Sequence, residues 1–170
     1  MADFLVLTVI ADDRPGIVEQ LAACIARHGG NWLESRMAHM AGKFAGILRI
    51  SVAAEQSAAL LAGLHSLQNQ GIQVSTGHGQ GEAHDNSIDL TLSLVGNDRP
   101  GIIKEVSRAL ADMGVNVLEL TTSCDSAGMS AVPLFKAEAL LRVPENFDTQ
   151  TLADALEEIS NDLMVEIRLD

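Results

Sequence analysis

Asp12-Asp13-Arg14-Pro15-Gly16-Ile17 returns in this chain as Asn97-Asp98-Arg99-Pro100-Gly101-Ile102. Gly29-Gly30-Asn31-Trp32-Leu33-Glu34 returns as Gly114-Val115-Asn116-Val117-Leu118-Glu119. Both pairs share one offset, with no gap between them: position 12 maps to 97, and 29 to 114. That period is longer than the roughly 20–50 residues of a solenoid unit. The 170 residues therefore read as two copies of one small domain. Each copy can bury one modest core and is marginal alone. The copies are expected to pack together, with a homo-oligomer as a further option.

The hydrophobic pattern repeats with the motifs. Phe4–Ala11 is a short apolar run bounded by Asp12-Asp13, which predicts a buried strand. Asp13 is placed to cap the next helix, and Pro15 to sit in its first turn. Ile17, Leu21, Cys24, Ile25 and His28 follow at helical spacing until Gly29-Gly30 stops them. Trp32–His39 and Phe44–Val52 read as strands joined at Ala41-Gly42-Lys43, with Phe44, Ile47, Ile50 and Val52 available to the core. Leu60, Leu61, Leu64 and Leu67 mark a second helix, and Ile72–Ser75 a fourth strand. The second copy repeats the order: strand Ile88–Val95, a helix marked by Ile102, Val106, Ala109, Leu110 and Met113, and strands Val115–Ser123 and Leu134–Val143. A helix capped by Asp148 and carrying Leu152, Leu156, Ile159 and Leu163, then strand Met164–Leu169, complete it. The fold class is α+β: two tandem ferredoxin-like βαββαβ domains, antiparallel sheets with helices on one face. The Gly-rich polar stretch Thr76–Asn86 reads as the linker, and the domains are set at 1–79 and 86–170. Aromatic residues are only 3% and Tyr is absent, so both cores are aliphatic.

Phe44 aligns with Phe135, which changes the offset by six residues. The second copy therefore carries six extra residues within Cys124–Pro133. Such a loop is expected to project from the sheet end.

The formal charge is −12, with no run of Lys or Arg. Direct nucleic-acid binding rests on a clustered basic face, so no direct contact with nucleic acid is expected, nor with an anionic membrane. Met1-Ala2-Asp3 lacks the basic region of a signal peptide, and Phe4–Ala11 is too short to span a bilayer. The expected location is cytoplasmic. Two cysteines make neither a disulfide framework nor a zinc pattern.

The Asp-Arg-Pro-Gly-Ile turn joins a strand end to a helix start. Gly16 and Gly101 let a ligand approach the backbone, and the first-turn N–H groups lie at the positive end of the helix dipole. A carboxylate suits that place. Asp13 and Asp98 lie beside it, which suits a ligand that also carries a cation, as an amino acid does. The other reading is a capping turn, and for Asn31 and Asn116 a simple turn residue. Glu34, Glu119, Arg14 and Arg99 read as surface groups or ion pairs. His78, Glu82 and His84 lie close together but fit no metal-ligand spacing. Cys24 falls on an apolar stripe, and Cys124 is placed in the inserted loop. No nucleophile elbow, phosphate loop or metalloprotease motif occurs. No catalytic residue, metal or cofactor is expected.

The βαββαβ order, with Asp-Arg-Pro-Gly-Ile at the first strand–helix turn and Gly-x-Asn opening the second strand, resembles the ACT domain in two tandem copies. Asp13-Arg14-Pro15-Gly16-Ile17-Val18, Asn31-Trp32-Leu33-Glu34-Ser35-Arg36-Met37 and Gly42-Lys43-Phe44 resemble the glycine cleavage system transcriptional repressor family in particular. That resemblance implies a regulator without a DNA-binding domain, acting on a DNA-bound activator with glycine as a signal. It implies ligand contacts at Asp13, Gly16, Ile17 and Asn31, and at Asp98, Gly101, Ile102 and Asn116. Many ligand-binding members carry Asn in place of Asp13 and Asp98. A regulatory subunit giving feedback control to an amino-acid metabolic enzyme stands as the alternative.

Overall fold

The computed structural model describes residues 1–81, 85–126, 128 and 132–169. The chain divides into two compact units between residues 83 and 84. The first contains β1 (Ala2–Asp12), α1 (Ile17–Arg27), β2 (Asn31–Met40), β3 (Lys43–Ala53), α2 (Ala54–Ser66) and β4 (Ile72–His78). The second contains β5 (Ser87–Asn97), α3 (Ile102–Asp112), β6 (Asn116–Asp125), β7 (Leu134–Pro144), α4 (Thr149–Glu157) and β8 (Met164–Leu169). Each unit is βαββαβ. The sheet orders are β2-β3-β1-β4 and β6-β7-β5-β8, and every pairing is antiparallel. Both units are therefore ferredoxin-like α+β folds.

The period of two decides which side of each sheet is buried. In β1, Leu5, Leu7, Val9 and Ala11 are buried, and in β3 Leu48, Ile50 and Val52. They meet Ile17, Leu21 and Ile25 of α1 and Leu60 and Leu64 of α2 in one cluster. The second unit builds the same cluster from Leu90, Leu92 and Leu94, Ile102, Val106 and Leu110, Leu141 and Val143, Leu152 and Leu156. Among the described residues both buried cores are aliphatic apart from Cys24 and Phe135.

Several local expectations are corrected. Ile47 is exposed, because it is out of phase with Leu48 and Ile50 and faces the other side of the sheet. Phe44, in phase, is half-buried against the core. β4 continues through Thr76, Gly77 and His78, which pair with Leu7, Val6 and Leu5. The linker therefore begins later than Thr76. α4 ends at Glu157, so Ile159 and Leu163 pack from the segment beyond it. Its cap is as expected: the Asp148 carboxylate accepts from the N–H groups of Gln150 and Thr151 at 3.0 and 3.3 Å.

The two hairpins differ as the offsets require. β2 and β3 are joined by Ala41-Gly42 alone, whereas β6 and β7 are joined by residues 126–133. Ala41 (φ 48°) and Gly42 (φ 81°) are both left-handed, as the tightest hairpin turn demands. Cys124 lies in β6, opposite Phe135, and not in the loop. Residues 127 and 129–131 of the loop lie outside the described residues, as do Glu82 and His84.

Candidate ligand-binding site

The strand–helix turn is built differently from the expectation. α1 begins at Ile17, after Gly16 in the left-handed region (φ 93°, ψ 0°), and no side chain caps it. Pro15 therefore precedes the helix, and Asp13 is not its capping acceptor. The first intrahelical bond runs from Gln20 N–H to Gly16 C=O at 2.9 Å. The N–H groups of Ile17, Val18 and Glu19 lie before that bond, at the positive end of the dipole. Gly101 adopts the same conformation (φ 88°, ψ 0°), and α3 likewise has no side-chain cap. The glycine is required in both copies because a left-handed backbone is strained for residues with a Cβ.

Two repeated contacts fix the turn. The Asp13 N–H donates to Gly42 C=O at 2.9 Å, and the Asp98 N–H to Pro133 C=O at 2.9 Å. The tip of the middle hairpin thus holds the strand end. The Arg14 guanidinium donates to Gln70 C=O at 2.6 Å, and Arg99 to Ile159 C=O at 3.4 Å. The repeated arginine reaches the segment that follows the second helix. Its repetition is structural, and the sequence reading did not assign that contact.

A second repeated relation surrounds the aspartate. His39 Nδ1 lies 3.6 Å from an Asp13 carboxylate oxygen. Cys124 holds the matching position in the second copy, beside Asp98. Cys124 is exposed, yet partial desolvation of the thiol, and then its hydrogen bond with Asp98, push it upward from the ordinary thiol range. A thiol so shifted is a poorer nucleophile at neutral pH. Cys24 is also raised, by burial first, and is inert packing.

The asparagines are elsewhere. Asn31 opens β2 opposite Ser51, which pairs with Phe4. Asp12 is eight strand residues further along β1. At ~3.3 Å per residue, Asn31 is about 25 Å from the Asp13 turn of its own unit. Asn116, opposite Arg142 and Asp89, is equally distant from Asp98. The structure brings Asp13, Gly16 and Ile17 together, and Asp98, Gly101 and Ile102 together. It leaves each asparagine at the far end of its sheet. The repeat around them has a local cause. Register shifts between Trp32 and Glu34, and between Val117 and Glu119, so Leu33 and Leu118 each mark a β-bulge. Glu34 pairs with Arg49 at 2.8 Å.

The two turns differ in what surrounds the helix start. In the first copy an open cleft of about 450 Å³ is lined by Asp13, Arg14, Gly16, Ile17, Val18, Glu19, Ala22 and Phe44. Gln20 stands beside Gly16, and its buried Oε1 has no hydrogen-bond partner. Buried acceptors are normally satisfied. In the second copy Glu105 replaces Gln20, and its carboxylate binds Arg99, holding that guanidinium above its ordinary value. A carboxylate already sits by the second turn.

Among the described residues no group of three or more His, Cys, Asp or Glu side chains can hold a metal. No helix among them is long and apolar enough to cross a membrane. Models of the ACT domain match residues 3–76 and residues 90–161, most of the chain. The chain belongs to the ACT domain family. Its two ACT domains are similar to an unknown protein from Galdieria sulphuraria, 26% identical, with 100% of this chain and 99% of that one covered and a TM-score of 0.84. They are also similar to a candidate glycine cleavage system transcriptional repressor, 16% identical, with 100% and 99% covered and a TM-score of 0.70. The second likeness is one of fold. No curated protein is significantly similar to the chain in sequence. Tandem ACT domains indicate regulation by sensing a small molecule, an amino acid above all.

Proposed function

We propose that this tandem ACT protein is a non-catalytic, cytoplasmic regulator that binds a small amino acid, glycine foremost, at the β1–α1 turn of its first domain. In this reading it acts by contact with a DNA-bound transcriptional activator. The observation that carries it is the difference between the turns. Both helix starts are uncapped; the first adds an open cleft and an orphan Gln20 acceptor, whereas at the second Glu105 is paired with Arg99.

An amino-acid carboxylate would accept from the N–H groups of Ile17, Val18 and Glu19. The ammonium would meet Asp13 and, from the other side, Gln20 Oε1. Glu19 also lines the cleft, which favours a zwitterion over a simple anion. At Asp98, Gly101 and Ile102 the same backbone recurs, and Glu105 would repel the ligand's carboxylate. Second-turn binding would therefore be weaker. Asn31 and Asn116 would have to contact a ligand other than the one held by their own unit's turn.

Charge supports the mode of action. The chain carries −12 with no run of Lys or Arg, which disfavours direct contact with DNA, so control of transcription would pass through another protein. A thermal-shift screen of the twenty amino acids tests the ligand, since a ligand of the native state raises apparent stability. One small amino acid should raise the melting temperature of the wild type, and less so that of Gln20→Glu. No shift with any of them would overturn ligand sensing. Capture of a metabolic enzyme in place of a transcription factor would move the reading to feedback control of that enzyme.

A further inference from the structure

The second copy shows what a carboxylate does at this turn. The fourth residue of α3 is Glu105, and its carboxylate pairs with the repeated arginine, Arg99, at an uncapped helix start. Asp162 adds negative charge beside the same guanidinium. Arg99 still reaches Ile159 C=O, so binding a carboxylate is compatible with the arginine's structural bond. In the first copy the same helix position holds Gln20, which is neutral. Arg14 keeps the matching backbone bond, to Gln70 C=O at 2.6 Å. Among the described residues no carboxylate forms an ion pair with it. The segment it touches, Leu67-Gln68-Asn69-Gln70-Gly71, carries no acidic residue. Arg14 also lines the open cleft, together with Gly16 and Ile17. A guanidinium has five N–H donors, and the bond to Gln70 uses one. The first copy thus has the arginine and the space, and lacks the carboxylate that the second supplies from its own helix.

We infer that Arg14 is a ligand-binding residue, and that the ligand's carboxylate takes on it the place that the Glu105 side chain takes on Arg99. This rests on the first turn being the amino-acid site, and it names the residue that makes that site demand an anionic group. A carboxylate shared between the helix-start N–H groups and a guanidinium makes charge-assisted bonds, which are shorter and stronger than neutral ones. An amine or an amino-acid amide loses them. Asp13 and Glu19 line the same cleft and answer the cationic end, so Arg14 is what separates a zwitterion from a simple amine. At the second turn Glu105 satisfies the arginine internally, which makes that turn self-filled.

The test titrates the full chain, followed by its amide spectrum, with glycine and with glycinamide. The wild type should bind glycine through shifts of the Ile17, Val18 and Glu19 amides, and glycinamide at least about ten-fold more weakly. Arg14→Gln removes the charge and the fork. It should weaken glycine roughly ten-fold, the lower end of what a hydrogen bond to a charged group contributes, and leave glycinamide nearly unchanged, so that the preference collapses. Arg14→Lys keeps the charge without the fork and should fall between the two. Glu105→Gln is the mirror image: it releases Arg99, and glycine should then shift the Ile102, Ile103 and Lys104 amides. If Arg14 only ties the turn to Gln70, its removal costs both ligands equally, and that result would overturn the inference. So would an Arg14→Gln protein that binds glycine as tightly as the wild type, or a Glu105→Gln protein whose second turn stays silent. If Arg14→Gln fails to fold, the Arg14→Lys and Glu105→Gln results decide. Failure of the site reading looks different: the first-turn amides of the wild type would not move with glycine at all, and the role of Arg14 would fall with it.

Discussion

Gly16 and Gly101 show how one residue type can be read correctly for the wrong reason. Their repetition suggests close approach of a ligand, yet a Cβ at Gly101 meets nothing within 4 Å and one at Gly16 only Gln20. Backbone conformation requires the glycine in both copies. Alanine at either position should therefore destabilise its unit by about 1–2 kcal/mol, as measured by urea unfolding. Equal losses at both positions are expected, and a loss at only one would contradict this account. Valine at Gly101 is strained for the same reason, so it cannot separate binding from folding. Gln20→Glu can. It converts the first turn to the second copy's residue, and ligand affinity should fall at least ten-fold, about 1.4 kcal/mol, while the melting temperature of the unliganded protein holds. The importance of Gln20 was not legible in the sequence. It lies outside the repeated motifs, and only the fold places its amide beside Gly16.

At the scale of elements, periodicity carried most of the fold. The alternation of Leu5, Leu7 and Val9, and the spacing of Ile17, Leu21 and Ile25, identify the buried sides because aliphatic burial dominates the energy. Phase within a strand was harder. Ile47 looks like a core residue by type, and only its pairing with Thr8 puts it on the outer face. The inward span of β4 was hidden because Thr76, Gly77 and His78 carry no apolar signal; the ladder with β1 holds them. The Asn31 and Asn116 motifs were legible as repeats, but their β-bulge was not. Ala41 is left-handed in the tight hairpin turn, a conformation that Asn tolerates far better. Ala41→Asn should stabilise the first unit by roughly 0.5–1 kcal/mol, seen as a higher urea midpoint by tryptophan fluorescence. That signal is specific, since Trp32 is the chain's single tryptophan.

The two units also respond differently to acid. Hydrogen bonds hold carboxyls below their ordinary value of 3.8: Arg142 beside Asp89, the Thr151 hydroxyl beside Asp148, and Ser160 beside Asp162. In the first unit Lys43 does the same for Asp12. A carboxyl with a depressed folded-state value contributes stability above its unfolded value, lost as pH falls through the folded one. Asp12, Asp148 and Asp162 are exposed and Asp89 is partly so, so each contribution is small. The second unit carries three of them and should lose more stability between pH 5 and about 2. Circular dichroism, which sees both units, should then unfold in urea before Trp32 fluorescence does. Coincident transitions at low pH would contradict that order.

Duplication followed by divergence is the theme of the whole molecule. The shared backbone gives two uncapped glycine turns, while Gln20 against Glu105, and Phe4 against Asp89, give the copies separate surfaces. At physiological salt the chain should not bind duplex DNA; salt-sensitive micromolar binding in an anisotropy titration would refute the charge argument. The central claim is that the first turn, and not the second, holds an amino acid. A ¹H–¹⁵N correlation spectrum titrated with glycine reads it residue by residue. The account predicts progressive, saturable shifts of the Ile17, Val18 and Glu19 amides, with Ile102, Ile103 and Lys104 moving little. An unchanged spectrum at millimolar glycine, or shifts that spare Ile17–Glu19, would contradict it.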